Sequence, residues 1–213
     1  MQLTQLGHSA LLVEVAGQRI LIDPGNFSTA WHGLTDLDAV LVTHQHPDHV
    51  DAANLKPLLD ANPGAQFYAE PSVAQVSGLP SRPLHPEASV ALGTVRVSAV
   101  GGLHAIIHRD IPQIGNVGLV IAAEGEPVLF HPGDSLAAVP AGVDLVAIPA
   151  YGPWAAMKET IDFARAVAAP QGFLIHDGLL SERGWGLTFD RMNEMTPTAV
   201  VDHRDQLPWT PTA

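Results

Sequence analysis

Between positions 44 and 49 the chain reads His44-Gln45-His46-Pro47-Asp48-His49, three imidazoles and one carboxylate within six residues. Neutral imidazole nitrogen and carboxylate oxygen suit zinc, iron, manganese or nickel, and a tight turn can point alternate side chains at two adjacent ions. Three further candidates follow at long intervals, His104, Asp134 and His176, each behind an apolar strand-like segment. Strand-end loops on a rigid scaffold are where ligands are expected. Seven residues therefore stand as candidate metal ligands, and the chemistry they imply is metal-assisted hydrolysis. Two competing readings are structural: Asp48 as a cap for the helix that follows, and His108, four residues beyond His104, as the ligand in its place.

The elements that must hold these side chains can be read from pattern and punctuation. Residues 2 to 6, 10 to 16 and 19 to 23 are β-type runs separated by Gly7 and Gly17, an antiparallel meander that ends at Asp23-Pro24-Gly25. The run 38 to 43, apolar through its middle, reads as a strand buried on both faces, with the histidine-rich loop at its carboxyl end. A helix spans part of Asp51 to Asn62; because Pro57 is tolerated only in a first turn, its start is placed near Asn54. Residues 71 to 89, rich in Pro and Gly, read as a loop or short helix and then a crossing connection. Strands resume at about 94 to 100, 117 to 123 and 127 to 130. The second half alternates strand (143 to 148), helix (155 to 168), strand (173 to 175) and a closing helix from Leu187 to Met195.

The H-x-H-x-D-H loop, the later His104, an Asp in the His131-Pro-Gly-Asp-Ser135 turn and the final His176 together resemble the metallo-β-lactamase superfamily, and the resemblance covers most of the chain. It implies an α/β fold, a four-layer αβ/βα sandwich with the metals at the edge between two sheets. It also implies a first metal held by His44, His46 and His104, a second by Asp48, His49 and His176, and Asp134 bridging both. Some carboxylate must bridge two cations held close together, or their repulsion is severe. Gly7-His8-Ser9 and Leu21-Ile-Asp-Pro-Gly25 are similar to small stand-alone hydrolases related to the ascorbate-6-phosphate lactonase group. Asp48 and His8 are the catalytic candidates: His8 reads either as a substrate contact or proton donor, or as an exposed turn histidine. Asp23 reads as a turn carboxylate or as the acceptor that fixes a ligand histidine through its other ring proton. Tyr151, Trp154 and Trp185 read as pocket or core aromatics.

Composition narrows the partners. The 213 residues are 46% hydrophobic and 15% charged, the balance of one globular domain over 1–213, with no repeat or linker to mark a second. A formal net charge of −12 repels phosphate backbones and acidic membranes, so nucleic acid and membrane are not expected partners. Two divalent ions would neutralise part of that charge without reversing it. Cysteine is absent, so any zinc is held by nitrogen and oxygen. The first residues lack the features of a signal peptide, and a cytoplasmic location is the expectation.

The function expected is a dinuclear hydrolase in which a metal-bridging hydroxide attacks a small ester-type substrate, a lactone or a phosphoester. Two divalent ions are the expected cofactors, zinc first, with manganese, iron or nickel as alternatives. The missing Cys disfavours the zinc-thiolate β-lactamases, and the missing carboxyl-terminal helical extension disfavours glyoxalase II-like activity. Rival readings are an iron-dependent oxidoreductase on the same fold, which typically places Glu where this chain has His46, and a non-catalytic metal-binding protein. Arg82, Arg109 and Arg183 are candidate anion contacts that the sequence does not place.

Overall fold

Strands of alternating inward and outward side chains account for the architecture. In the computed structural model, which describes residues 1–212, two sheets lie face to face. The first has the order β1 (Gln2–Gly7), β2 (Ala10–Val15), β3 (Gln18–Ile22), β4 (Ala39–Val42), β5 (Gln66–Ala69) and β6 (Arg82–Pro83). The second starts from β7 (Ser89–Leu92), β8 (Val95–Leu103), β9 (Gly115–Ala122) and β10 (Leu129–His131). It ends with β11 (Leu145–Pro149), β12 (Gln171–Ile175) and β13 (Ala199–Val201). The first sheet opens as an antiparallel meander and turns parallel from β3 onward, and the second is parallel from β10 to β13.

The period of two sorts each central strand between two cores. Ile20 and Ile22, Ala39 and Leu41, Leu145 and Ala147, and Phe173 and Ile175 face one another between the sheets. Leu21, Val40 and Val42 point outward beneath helices α1 (Ala52–Ala61) and α2 (Val73–Ser77), with Leu55, Leu58 and Val73. Val146, Ile148 and Leu174 point outward beneath α3 (Met157–Val167) and α4 (Glu182–Met195), with Ile161, Ala164 and Met192. The result is the helix, sheet, sheet, helix sandwich that the resemblance implies, and β4 is buried on both faces as its apolar run predicts.

Several boundaries differ from the sequence reading, for local reasons. Helix α1 begins at Ala52 rather than near Asn54. Asp51 accepts from the Ala53 and Asn54 amides, and this cap outweighs Pro57, whose ring sits on the exposed face of the helix interior. Asp51, not Asp48, is thus the cap. Helix α4 begins at Glu182, five residues before Leu187, because Ser181 caps it through the Gly184 amide. Strand β8 continues through Gly101 and Gly102 to Leu103, which carries His104 to the sheet edge. Strand β3 ends at Ile22, and the short edge strands β7 and β13 were not expected.

Candidate metal centre

The seven predicted ligands converge at one end of the sandwich, each following the carboxyl end of a strand: His44, His46, Asp48 and His49 after β4, His104 after β8, Asp134 after β10 and His176 after β12. Their donor atoms form two groups within 4.8 Å of one another, His44, His46, His104 and Asp134 in one, and His8, Asp48, His49 and His176 in the other. Asp134 touches both. Its Oδ1 lies 3.0 Å from His49 Nε2, while its Oδ2 lies 3.1 Å from His176 Nε2, 3.4 Å from His104 Nε2 and 3.7 Å from His44 Nε2. Asp48 Oδ2 lies 3.3 Å from His176 Nε2. His108, by contrast, is exposed beside Asp110, so the competition with His104 is resolved by position.

The loops are held in place by backbone and second contacts that cross between the sheets. The His176 amide donates to His8 O (3.1 Å), and the Val117 amide to Thr43 O (3.0 Å). The Asp23-Pro24-Gly25 turn docks onto the ligand loop: Asn26 N–H donates to Pro47 O and Asp51 N–H to Pro24 O, each at 2.9 Å. A Cβ on Gly25 would lie 1.8 Å from Asp48 O, so only glycine permits this approach. A Cβ on Gly133, at φ +60°, would lie 2.3 Å from Asn116 Oδ1 and 2.9 Å from Thr43, while Asn116 accepts the Asp134 amide at 2.9 Å and donates to Pro132 O at 3.0 Å. His8 (φ 52°), Asp23 (φ 47°) and His176 (φ 58°) all occupy the left-handed region, which costs non-glycine residues energy and is tolerated where a site demands it.

Ring hydrogen bonds assign the tautomers. His49 Nδ1 faces Asp23 Oδ2 at 2.7 Å, His104 Nδ1 faces Ala105 O at 2.6 Å, and His176 Nδ1 faces Tyr151 O. Each of these acceptors requires the ring to donate from Nδ1, which leaves a lone pair on Nε2. Thr43 Oγ1 donates to Asp23 Oδ2 and so takes the His44 Nδ1 proton at 3.1 Å, with the same consequence. His8 is reversed: its Nδ1 accepts from the Gly178 amide at 3.1 Å, so its Nε2 carries the proton and donates to Asp48 Oδ2, also at 3.1 Å. His8 therefore belongs to the second group by distance but presents a hydrogen, not a lone pair. Asp23 is the orienting acceptor rather than a bare turn carboxylate, since it also takes the Thr43 amide at 2.8 Å.

Four Nε2 atoms thus face one carboxylate that is almost fully buried. His104 Nε2, His176 Nε2 and Asp134 Oδ1 are buried without a hydrogen-bond partner, a state that proteins avoid unless something else answers it. Ligand atoms 3.0 to 3.7 Å apart match the edge, roughly 3.3 Å, of a tetrahedron with metal–ligand bonds of about 2.0–2.1 Å. The donor set fits divalent ions. Without a bound ion, protons answer the buried carboxylates instead: burial disfavours any charge on His49, yet Asp134 and Asp23 hold its pKa well above the usual histidine range, so its Nε2 lone pair is freed when a metal displaces the proton. Burial likewise opposes charge on His176, yet the carboxylates of Asp134 and Asp48 beside its Nε2 push it up to about 9. Burial dominates at His44, His46 and His8, whose pKa values are lowered. Asp134 is held well below the carboxylate range against its burial, chiefly by His49 and His44.

Two residues make contacts at the centre that the sequence does not indicate: Trp154, read there only as a pocket or core aromatic, and Asn116. Trp154 donates from Nε1 to Asp134 Oδ2 at 3.0 Å, and its ring lies edge-on to His104 and His176. Asn116, a buried amide in the otherwise apolar run of β9, sets the Asp134 turn. Tyr151 contributes its carbonyl and leaves its ring exposed. Trp185 lies elsewhere, stacked on Phe189 beneath the Arg204 guanidinium. None of the three arginines considered from sequence lies at the centre. Arg82 donates to Gln66 and Tyr68, Arg109 lies exposed beside Asp110, and Arg183 is exposed in the first turn of α4.

The chain belongs to the metallo-β-lactamase superfamily: the family model described as the β-lactamase superfamily domain matches residues 2–171. It is 43% identical over 199 residues to Protein Rv0786c of Mycobacterium tuberculosis, covering 93% of this chain and 94% of that one. It is 31% identical over 151 residues to a UPF0173 metal-dependent hydrolase of Xanthobacter autotrophicus, an alignment of 63% of this chain and 62% of that protein. In fold it is similar to a metallo hydrolase from Ignicoccus hospitalis, with a TM-score of 0.74 at 17% identity and 99% of each chain covered. Among the described residues no helix is long and apolar enough to cross a membrane.

Proposed function

We propose that this metal-dependent hydrolase works through a dinuclear centre. In this reading His44, His46 and His104 hold one divalent ion, Asp48, His49 and His176 hold the other, and Asp134 spans both. The observation that supports it is the set of imidazoles around Asp134 whose outer nitrogens are already engaged and whose Nε2 lone pairs all turn inward. When bound, the two ions supply Lewis acidity and lower the pKa of a shared water towards neutrality, so that hydroxide becomes available as nucleophile. Zinc suits the nitrogen and oxygen donors, and manganese, iron and nickel suit them as well.

The remaining work falls to the protein. Asp23, Thr43, Ala105 O and Tyr151 O lock the ligand rings, so no reorganisation is needed at the moment of reaction. Asp48, only partly buried, is the ligand carboxylate nearest solvent, and His8 holds a proton at Nε2 against it. We assign Asp48 as the carboxylate that takes the proton given up by the attacking water and passes it to the leaving oxygen, with the neutral His8 ring orienting it through the Nε2–H donor, and a small ester-type molecule, a lactone or phosphoester, as substrate.

Elemental analysis by mass spectrometry of untagged protein purified without chelator tests the reading. Two metal atoms per chain in the wild type are expected, and in Asp134→Ala fewer metal atoms and no turnover with the fold intact by circular dichroism. An active Asp134→Ala protein that retains both metals would sink the bridging role.

A further inference from the structure

Beside the metal centre lies a cleft of about 390 Å3 walled by Leu103, His104, Ile106, Leu136, Ala137 and Trp154. His104 and Trp154 belong to both places: His104 Nε2 and the Trp154 N–H face Asp134, while both side chains line the cleft. The cleft therefore opens on the reacting position. Leu103 and Ile106 are 57% and 65% exposed, so they present apolar surface that packing within the chain does not cover. Apolar surface gathered in a concavity next to convergent polar groups is the usual form of a small-molecule site.

Charge decides what enters. No Lys or Arg lines this cleft, and its one ionisable group outside the metal centre is the carboxylate of Glu159, which also accepts the Ala156 amide at 2.8 Å. Lys158 stands 3.9 Å from that carboxylate, with most of its side chain in solvent and outside the lining. A phosphate group placed here would meet a carboxylate and apolar walls, with no cationic fork to receive it. The two remaining lining amide and hydroxyl groups, on Gln113 and Ser135, can serve a neutral carbonyl or ether oxygen.

We infer that this cleft is the acyl pocket of the enzyme and that the substrate is a neutral ester or lactone bearing an apolar acyl chain, not a phosphate monoester. The inference rests on the hydrolase reading above and narrows it. In the step concerned the water oxygen bonds to the acyl carbon and the acyl C–O bond breaks. The leaving alkoxide takes up the proton that the water gives up, so an ester yields one acid and one alcohol and a lactone yields a single hydroxy acid.

Two measurements separate the pocket from the chemistry. Calorimetric titration of the protein with octanamide, a neutral chain that cannot be hydrolysed as an ester, reads the pocket with and without added metal. Binding to wild type and a loss of at least tenfold in Ile106→Asp are expected; Ile106 is exposed, so this variant should fold, and Leu103→Asp gives an independent second case. In zinc- and manganese-loaded enzyme, kcat/KM should rise at least tenfold from p-nitrophenyl acetate to the octanoate. Burial of each methylene is worth roughly a fourfold gain until the cleft is filled. p-Nitrophenyl phosphate should be the poorest of the series. Absence of octanamide binding, a flat acyl-length profile, or faster turnover of the phosphate overturns the pocket. Octanamide binding with no metal-dependent turnover of any of these compounds leaves the apolar site standing and removes the hydrolase reading on which its acyl role rests.

Discussion

The indole Nε1 of Trp154 donates to Asp134 Oδ2 across 3.0 Å, and that same oxygen faces the Nε2 atoms of His176 and His104 at 3.1 and 3.4 Å. Tryptophan can only donate, so this bond fixes one lone-pair direction of the carboxylate and leaves the rest of the oxygen to the metal side. Trp154→Phe keeps the aromatic wall and deletes the donor. The fold should survive, and metal affinity or turnover should fall by about 10- to 100-fold, the usual cost of losing a group that orients a ligand. Competition with a chromophoric chelator measures the first and steady-state kinetics the second; unchanged values in both would make Trp154 a wall residue only.

Asp23 gathers three donors, the Thr43 amide, the Thr43 hydroxyl and His49 Nδ1, at 2.8, 2.8 and 2.7 Å, and is itself fully buried. Asp23→Asn is a clean probe because asparagine tolerates the left-handed backbone found there. Its amide NH2, however, must face a donor. A loss of about 1–3 kcal/mol in stability is expected from the broken buried network. A second loss, in metal affinity, should follow as His49 is freed to turn. Denaturant unfolding with and without chelator separates the two, and a stability loss with unchanged metal affinity would reduce Asp23 to a structural residue.

The convergence of the seven candidate ligands was legible in the sequence because strand-end loops gather at one edge of a sandwich, and strand ends are marked by apolar segments that stop before His44, His104 and His176. What could not be read was the contact made by distant side chains. Trp154 lies in an irregular loop with no periodicity to aim it, and Tyr151 acts through its carbonyl, for which side-chain chemistry gives no signal. Asn116 did leave a trace, one amide in the run Gly115–Ala122 where every neighbour is apolar or glycine. The start of α1 differs because the Asp51 cap outweighs Pro57, and that of α4 because Ser181 caps outside the apolar pattern. Strand β7 was missed since three of its four residues are not buried.

In chelator-stripped protein, protons take over part of the metals' charge. His176 has its pKa raised to about 9 from an ordinary 6.5, with burial opposing the shift and Asp134 and Asp48 producing it. The stabilisation from that pairing is fully present below about pH 6.5 and is lost as pH rises through 9. His49, also raised, adds in the same direction. Metal binding requires these rings unprotonated, so metal-loaded protein should move the opposite way. Melting temperatures taken from pH 6 to 9 should therefore fall for the stripped protein, and the gap between loaded and stripped forms should widen with pH. A stripped protein that is as stable at pH 9 as at pH 6.5 would show that these imidazoles are not charged without metal.

His8 is grouped with Asp48, His49 and His176 by distance, yet the Gly178 amide occupies its Nδ1 and leaves Nε2 with a hydrogen that points at Asp48. A fourth ligand and a hydrogen-bond donor that orients Asp48 predict different losses on substitution. If His8 were a ligand, His8→Ala would shed the second metal as readily as His49→Ala. As a donor, His8→Ala should keep two metals per chain while kcat falls by about 10- to 100-fold, the usual cost of losing a group that orients a ligand carboxylate. That defect should shrink for esters with better leaving groups, since a weakly basic alkoxide departs without a proton, and p-nitrophenyl esters should show less of it than alkyl esters. Elemental analysis of the two variants side by side, followed by kinetics across leaving groups, decides the matter; loss of one metal in His8→Ala would make His8 a ligand despite its assigned tautomer.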